Sequence, residues 1–248
     1  MKRCEPERTY PKLYCVWRRG DESGHTWIVR FDRGKIPPGM TTFLLIRHAA
    51  CDPVGRLIAG RRPGVHLNAA GKQQALKLAE RLTGLSIAAL YSSPLERAVE
   101  TAQPIAARTR LEILPAPGFN EVDFGSWTGK TIAELESVPE WRRFNEFRSG
   151  TRIPGGENMA EVLSRSLGEL EQLRKRHAQP GTLVAVISHG DVLRMLVTHA
   201  LGMPPDFIHR LELSPASVTV LEIEDYGPRL LLLNETGDWA AEIGKMNG

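Results

Sequence analysis

Cysteine is scarce in this sequence, and Cys4, Cys15 and Cys51 have neither the paired spacing of a metal site nor the even number of a closed disulfide framework. The expectation is a reducing, cytoplasmic setting. Long apolar runs are lacking too. None approaches the roughly 18 residues needed to cross a bilayer, and the N-terminus has no secretory apolar stretch, so no membrane partner is expected. Charge of one sign is in excess only at the start. Residues 1–40 hold nine Lys or Arg against five acids, and the remainder 23 against 24, which leaves no broad basic face for nucleic acid. Internal repeats and low-complexity tracts are absent.

What is present is 248 residues with 42% hydrophobic content, enough for one large core without a second domain. Residues 1–40 form an extension, Arg-rich, with a turn cluster at 20–24, Pro37-Pro38-Gly39 at its end and a single strand-like run at 26–31. Met40 directly precedes the first strong strand. The expectation is therefore a disordered or untranslated leader with a natural start at Met40, followed by one domain over 41–248.

From residue 42 strands and helices alternate. Strands are expected at 42–46, 87–91, 111–114, 183–187, 217–223 and 230–233, the last two as an antiparallel edge around Asp225-Tyr226-Gly227-Pro228. Helices are expected from the cap Asn68 to Leu82 with Gly84 beyond, and from Ser93-Pro94 to about Arg108 with a bend at Pro104. Two more are expected over 159–176, with Val162, Leu163, Leu167, Leu170 and Leu173 on one side, and over 191–201 before Gly202. This βαβ rhythm predicts an α/β fold with a mostly parallel central sheet flanked by helices, a three-layer α/β/α sandwich.

Two strand runs end in the same way. Leu44-Leu45-Ile46-Arg47-His48 and Val184-Ala185-Val186-Ile187-Ser188-His189-Gly190 each carry an apolar strand into a histidine. Strand carboxyl ends converge on one crevice in an open α/β sheet, so His48, His189 and Arg47 can meet at one anion-sized spot. The competing reading is that each histidine caps its strand and bonds to backbone. Arg97, in the first turn of the helix after Tyr91-Ser92-Ser93-Pro94, either adds a fork at the anion-favouring helix N-terminus or is a solvated arginine paired with Glu96 or Glu100.

Taken in order, five segments resemble the motifs of the histidine phosphatase superfamily, branch 1, the phosphoglycerate mutase-like group. They are Arg47-His48, the run from Ser92 to Ala102, the run from Asn120 to Gly129, Pro154-Gly155-Gly156-Glu157 and Ser188-His189-Gly190. The resemblance spans about 42–223 and implies a metal-independent phosphatase without a cofactor. It makes His48 the nucleophile that becomes phosphohistidine, Arg47, Arg97 and His189 the positive grip on the phosphoryl oxygens, and Glu121 the general acid. Asp123 is the rival acid, ranked below Glu121 because it falls off the motif position and suits a turn before Phe124-Gly125.

The sequence departs from the family pattern at Ala49, Ala50, Cys51 and Val54, where many members carry Gly, an acid or amide, Thr or Ser, and Asn, so that hydroxyl and amide contacts to phosphate are lost. The cradle is expected to lean on the arginines, and Cys51 to pack as a small hydrophobe. Arg56, with Gly190, is assigned to substrate. Arg56, Arg61, Arg62 and His66 either read substrate charge or lie in water. The short to moderate stretch between Trp127 and Gly155, with Trp141, Phe144 and Phe147 as apolar cover, favours a phosphatase for a small phosphomonoester over a mutase. A non-catalytic phospholigand-binding module is disfavoured because His48 and Glu121 are both kept. The apolar run at 230–233, if exposed, could pair across a homodimer.

Overall fold

The computed structural model describes residues 13–18, 26–31, 40–53, 55–179, 181–224 and 227–237. Strands β1 (Leu13–Arg18) and β2 (Thr26–Phe31) pair antiparallel; β2 is the run expected in the extension, and β1 went unread. Apart from Met40, which is buried, the rest of the extension, with the leader expectation, lies outside the described residues, as do Val54, Asp225 and Tyr226.

The main sheet contains β3 (Thr41–Arg47), β4 (Ile87–Ser92), β5 (Ile113–Pro115), β6 (Thr182–Ser188), β7 (Val218–Glu224) and β8 (Gly227–Glu235). Their order is β5-β4-β6-β3-β7-β8. β3 and β4 both run parallel to β6, and β5 parallel to β4, whereas β7 is antiparallel to β3 and to β8. The helices are α1 (Ala69–Arg81), α2 (Glu96–Thr109), α3 (Ile132–Glu136), α4 (Pro139–Glu146), α5 (Met159–Arg176) and α6 (Gly190–Ala200).

Both faces of the central strands are covered. Leu44, Ile46, Leu183, Ala185 and Ile187 pack with Ala75, Leu78, Ala98 and Ile105 of α1 and α2. Phe43, Leu45, Val184 and Val186 pack on the other side with Leu170 and Leu173 of α5 and Leu193 and Leu196 of α6. Two-sided burial explains why β3 and β6 read as unbroken apolar runs rather than as alternating ones. Each such side chain contributes roughly 1.5–3 kcal/mol by leaving water. The chain is thus the expected three-layer α/β/α sandwich. No helix of the described residues is long and apolar enough to cross a membrane.

Local signals account for most boundaries. Asn68 caps α1 by accepting from Gly71 N at 2.8 Å, and α5 opens with a reciprocal box between Asn158 and Glu161. One helix start departs from expectation. α2 begins at Glu96 behind Leu95, with no side-chain cap; Ser93 Oγ accepts only a long contact from Leu95 N at 3.4 Å, and its shorter bonds go to Asn120 and His189. Two short helices, α3 and α4, fill a stretch in which no element was expected.

That stretch builds a third core of its own. Val122, Phe124, Trp127, Leu135, Phe144 and Ile153 pack onto Met159 and Val162 of α5 and Val192 and Met195 of α6. Trp127 meets Trp141 edge-on at 5.3 Å and Phe144 at 5.5 Å. Phe147, expected in this cover, is 48% exposed: it follows the last turn of α4, whose buried residue is Phe144.

Candidate active site

Register brings the two histidines together. Arg47 and Ser188 are partners across the parallel β3/β6 ladder. His48 N donates to Ser188 O at 2.9 Å, and Ser93 N to Ile187 O at 2.9 Å. His48, His189 and Ser93 therefore leave the carboxyl ends of three adjacent parallel strands, where the chain has crossed from β3 over β6 to β4. The imidazole centroids of His48 and His189 are 5.2 Å apart.

Beside them lies a cavity of about 220 Å³ bounded by Arg47, His48, Arg97, Glu121, Phe124 and Asp191, among others. It is smaller than the roughly 300–1,000 Å³ of pockets that enclose drug-sized ligands. Its dimensions suit a single polar group with a short attachment.

His48 is buried. Its Nδ1 lies 2.7 Å from Ala49 O, and a carbonyl only accepts, so Nδ1 carries the hydrogen and Nε2 the lone pair. Arg97 Nε donates to that Nε2 at 3.3 Å. Burial, then the Arg97 charge, and more weakly that of Arg47, push the His48 pKa down to about 3, against one raising contact from Ala49 O. The ring is a neutral base whose Nε2 lone pair meets Arg97, and His48 borders the cavity.

Arg97 is buried at the first turn of α2, with its second terminal nitrogen donating to Gly60 O at 2.8 Å. Its other terminal nitrogen has no hydrogen-bond partner among the described residues, and neither does Nε of Arg47 or Nδ1 of His189. An unsatisfied buried polar group costs about 1–3 kcal/mol. The two guanidinium nitrogens belong to residues that border the cavity, where an oxyanion would receive both. Arg47 is anchored through Leu213 O. Burial and the charge of Arg97, with further contributions from His48, Arg165 and Arg47, push the pKa of His189 well below the usual value, so the ring without an anion is neutral.

Glu121 is the carboxyl at this cavity that burial pushes up, helped by the neighbouring Asp191 charge and opposed by Arg97, the Val122 N–H and Arg47. One oxygen accepts from Val122 N at 2.9 Å, and the other lies 4.0 Å from His189 Nδ1. Its segment is clamped from behind. Arg165 donates to Gly118 O and Asn120 O at 2.7 Å and to Glu121 O at 3.2 Å, and Arg61 donates to Glu121 O at 2.8 Å. Glu157 of the Pro-Gly-Gly-Glu motif ties both arginines together, at 2.8 Å to Arg165 and 2.9 Å to Arg61. Two glycines allow this closure: a Cβ on Gly125 (φ +46) would meet Pro154 O at 2.3 Å, and one on Gly156 would meet Asp123 O at 2.2 Å. Asp123 is a turn residue that accepts from Gly125 N at 3.0 Å.

The remaining assignments divide. Arg56 is exposed and is not part of the cavity lining, although its neighbours Gly55 and Leu57 are. Gly190 gives clearance: a Cβ there would sit 3.4 Å from Arg47 Nε and 3.4 Å from an Arg194 terminal nitrogen. Arg61 is absorbed by the clamp, His66 pairs with Glu100 on the surface, and Arg62 is exposed. Cys51 is buried in the wall. Sequence reasoning missed Asp191, which also borders the cavity and is held by Arg148 at 3.0 Å and Arg194 at 3.1 Å. An acid in the first turn of a helix normally reads as a dipole partner, and Arg148 lay in the unread stretch. Among the described residues no group of His, Cys, Asp or Glu side chains could hold a metal ion.

The chain is 35% identical over 213 residues to phosphoserine phosphatase 1 of Hydrogenobacter thermophilus, covering 83% of this chain and 99% of that protein. It is 32% identical over 193 residues to a probable phosphoglycerate mutase of Proteus mirabilis, covering 75% of this chain and 86% of the relative. The structure of a phosphoserine phosphatase mutant from Entamoeba histolytica in complex with phosphoserine superposes with a TM-score of 0.72 at 27% identity, over 80% of this chain and 98% of that one. The sequence profile of the histidine phosphatase superfamily (branch 1) matches residues 43–236, and with paired strand-end imidazoles at its centre the chain belongs to that family.

Proposed function

We propose that this protein hydrolyses the phosphomonoester of a small metabolite through a phosphohistidine formed at His48. The neutral Nε2 attacks phosphorus while the bond from phosphorus to the ester oxygen breaks and Glu121 delivers its proton to that oxygen. Water then attacks the phosphohistidine and gives a proton to the Glu121 carboxylate. The P–N bond breaks, releasing inorganic phosphate and restoring both groups. Arg47, Arg97 and His189 hold the equatorial oxygens, where charge accumulates in the loose transition state.

The observation that carries this reading is the pair of unpaired buried guanidinium nitrogens, on Arg47 and Arg97, at the cavity that His48 borders. Hydrolysis is favoured over phosphoryl relocation by the brevity of the cover, α3 and α4 being five and eight residues long, and by the phosphoserine phosphatase relative. O-phosphoserine is accordingly the first compound to try in a panel of phosphorylated metabolites that includes 3-phosphoglycerate. Phosphate release should exceed isomerisation of 3-phosphoglycerate and should vanish in His48→Ala. Faster isomerisation than hydrolysis would establish a mutase, and undiminished turnover by His48→Ala would refute the nucleophile.

A further inference from the structure

Ser93 is fully buried, and besides a long contact from Leu95 N at 3.4 Å its hydroxyl has two shorter partners. It donates to Asn120 Oδ1 at 2.9 Å and lies 2.8 Å from Nε2 of His189. A hydroxyl has one proton. With that proton committed to Asn120, the second bond runs the other way, and His189 donates Nε2–H to the Ser93 oxygen. Neutral His189 therefore carries its hydrogen on Nε2 and its lone pair on Nδ1, the nitrogen without a partner, 4.0 Å from Glu121.

A lone pair aimed at a phosphoryl oxygen repels it. The ring grips a phosphate dianion only after Nδ1 gains a proton, which makes both nitrogens donors. The Ser93 oxygen can accept from Nε2–H before and after that change, and the bond strengthens once the ring is charged. The groups that face the ring electrostatically are Arg97, His48, Arg165 and Arg47, with Glu121 alongside. This positive surplus keeps His189 neutral until an anion arrives.

We infer that Ser93 and Asn120 form a positioning pair that aims Nδ1 of His189 toward Glu121 at the edge of the phosphate pocket and supports the doubly protonated ring when an anion is bound. Both members are fixed by backbone: Ser93 N by Ile187 O at 2.9 Å, and Asn120 by N–H to Pro117 O at 3.0 Å and by Arg165 on its carbonyl. The inference rests on the phosphatase reading only for the identity of the anion.

The test is a nitrogen NMR spectrum of protein labelled with 15N-histidine, with His189 assigned by its loss in His189→Gln. The unliganded protein should show the Nε2–H tautomer, and saturating inorganic phosphate should convert it to the doubly protonated form. In Ser93→Ala the tautomer preference should weaken. The inhibition constant of inorganic phosphate and the KM should each rise about tenfold, the loss expected for one hydrogen bond to a charged group, with a smaller change in kcat. Asn120→Ala leaves the Ser93 proton free to turn toward Nε2 and should move the ring toward Nδ1–H, whereas Asn120→Asp should retain Nε2–H. An Nδ1–H tautomer in the wild type, or unchanged tautomer and phosphate affinity in the variants, overturns the inference. Asn120→Ala alone decides the matter if Ser93→Ala does not fold. The spectra require no turnover, so failure of the pair and failure of the phosphatase reading are told apart.

Discussion

At the carboxyl ends of β3, β6 and β4 the buried side chains are polar or charged, whereas in the segment 119–159 above them they are mainly aromatic and aliphatic. The strand ends gain their precision from backbone. Parallel pairing fixes His48, His189 and Ser93 before any side chain is considered, so unpaired polar nitrogens can be held in place by the rest of the sheet. The covering segment has little regular pairing and is held by ring contacts and by the Arg165–Glu157–Arg61 clamp. The two regions meet at Arg148, whose guanidinium stacks 4.4 Å above Phe144 and bonds Asp191 at the cavity. Packing in the cover thereby sets the charge environment of the site.

The comparison breaks most severely where a strand-end group is lost. In Arg97→Lys the charge remains, but the fork that simultaneously meets His48, Gly60 O and the cavity does not. Loss of one preorganised oxyanion donor is worth about 10²–10³ in kcat. Steady-state kinetics on the best phosphomonoester should show that drop with an unchanged melting temperature, and a merely higher KM would demote Arg97 to a binding contact.

Glu121→Gln comes next and sharpens the division, since this acid belongs to the covering segment. For an alkyl phosphate, whose alkoxide needs a proton, kcat should fall by about 10²–10⁴. For p-nitrophenyl phosphate, whose leaving group needs none, it should change little. The pH profile has a determined sign. Glu121 acts protonated and burial raises its pKa, so kcat/KM should fall as pH rises through that raised value, and the alkaline limb should vanish in the variant. His48 acts neutral with a pKa of about 3, so no acid limb from it should appear near pH 6.5. Equal losses on both substrates would remove Glu121 from proton delivery.

The same contrast explains what could be read from the sequence. β3 and β6 announced themselves because strands buried on both faces are unbroken apolar runs, and His48 and His189 follow them directly. α1 was legible from its cap Asn68 and α5 from the apolar side formed by Val162, Leu163, Leu167, Leu170 and Leu173, whereas the cap at Asn158 went unread. Ser93 was misread as a cap because Ser-Pro before an amphipathic run is a strong local signal, and its partner His189 is 96 residues away. α3 and α4 were missed because their apolar residues are too few to show a period over five and eight residues. Asp191, Arg148 and Arg165 were missed because their roles depend on contacts that no spacing encodes.

The smallest effects separate the two sides of the cover itself. Trp127 is 2% exposed and packs against Trp141 and Phe144; truncating such a side chain to alanine costs about 3–5 kcal/mol through lost burial and the cavity left behind. Denaturant titration of Trp127→Ala should show that loss, and kcat should fall as well, because Phe144, loosened beneath Arg148, no longer steadies Asp191 beside Glu121. Phe147→Ala removes a ring that is 48% exposed and should shift stability by no more than about 0.5 kcal/mol. Were the two substitutions to cost the same, the covering segment would owe its stability to the clamp at Glu157 rather than to its aromatic core. Glu157→Gln, which leaves Arg165 and Arg61 without their shared charge, would then be the more damaging change.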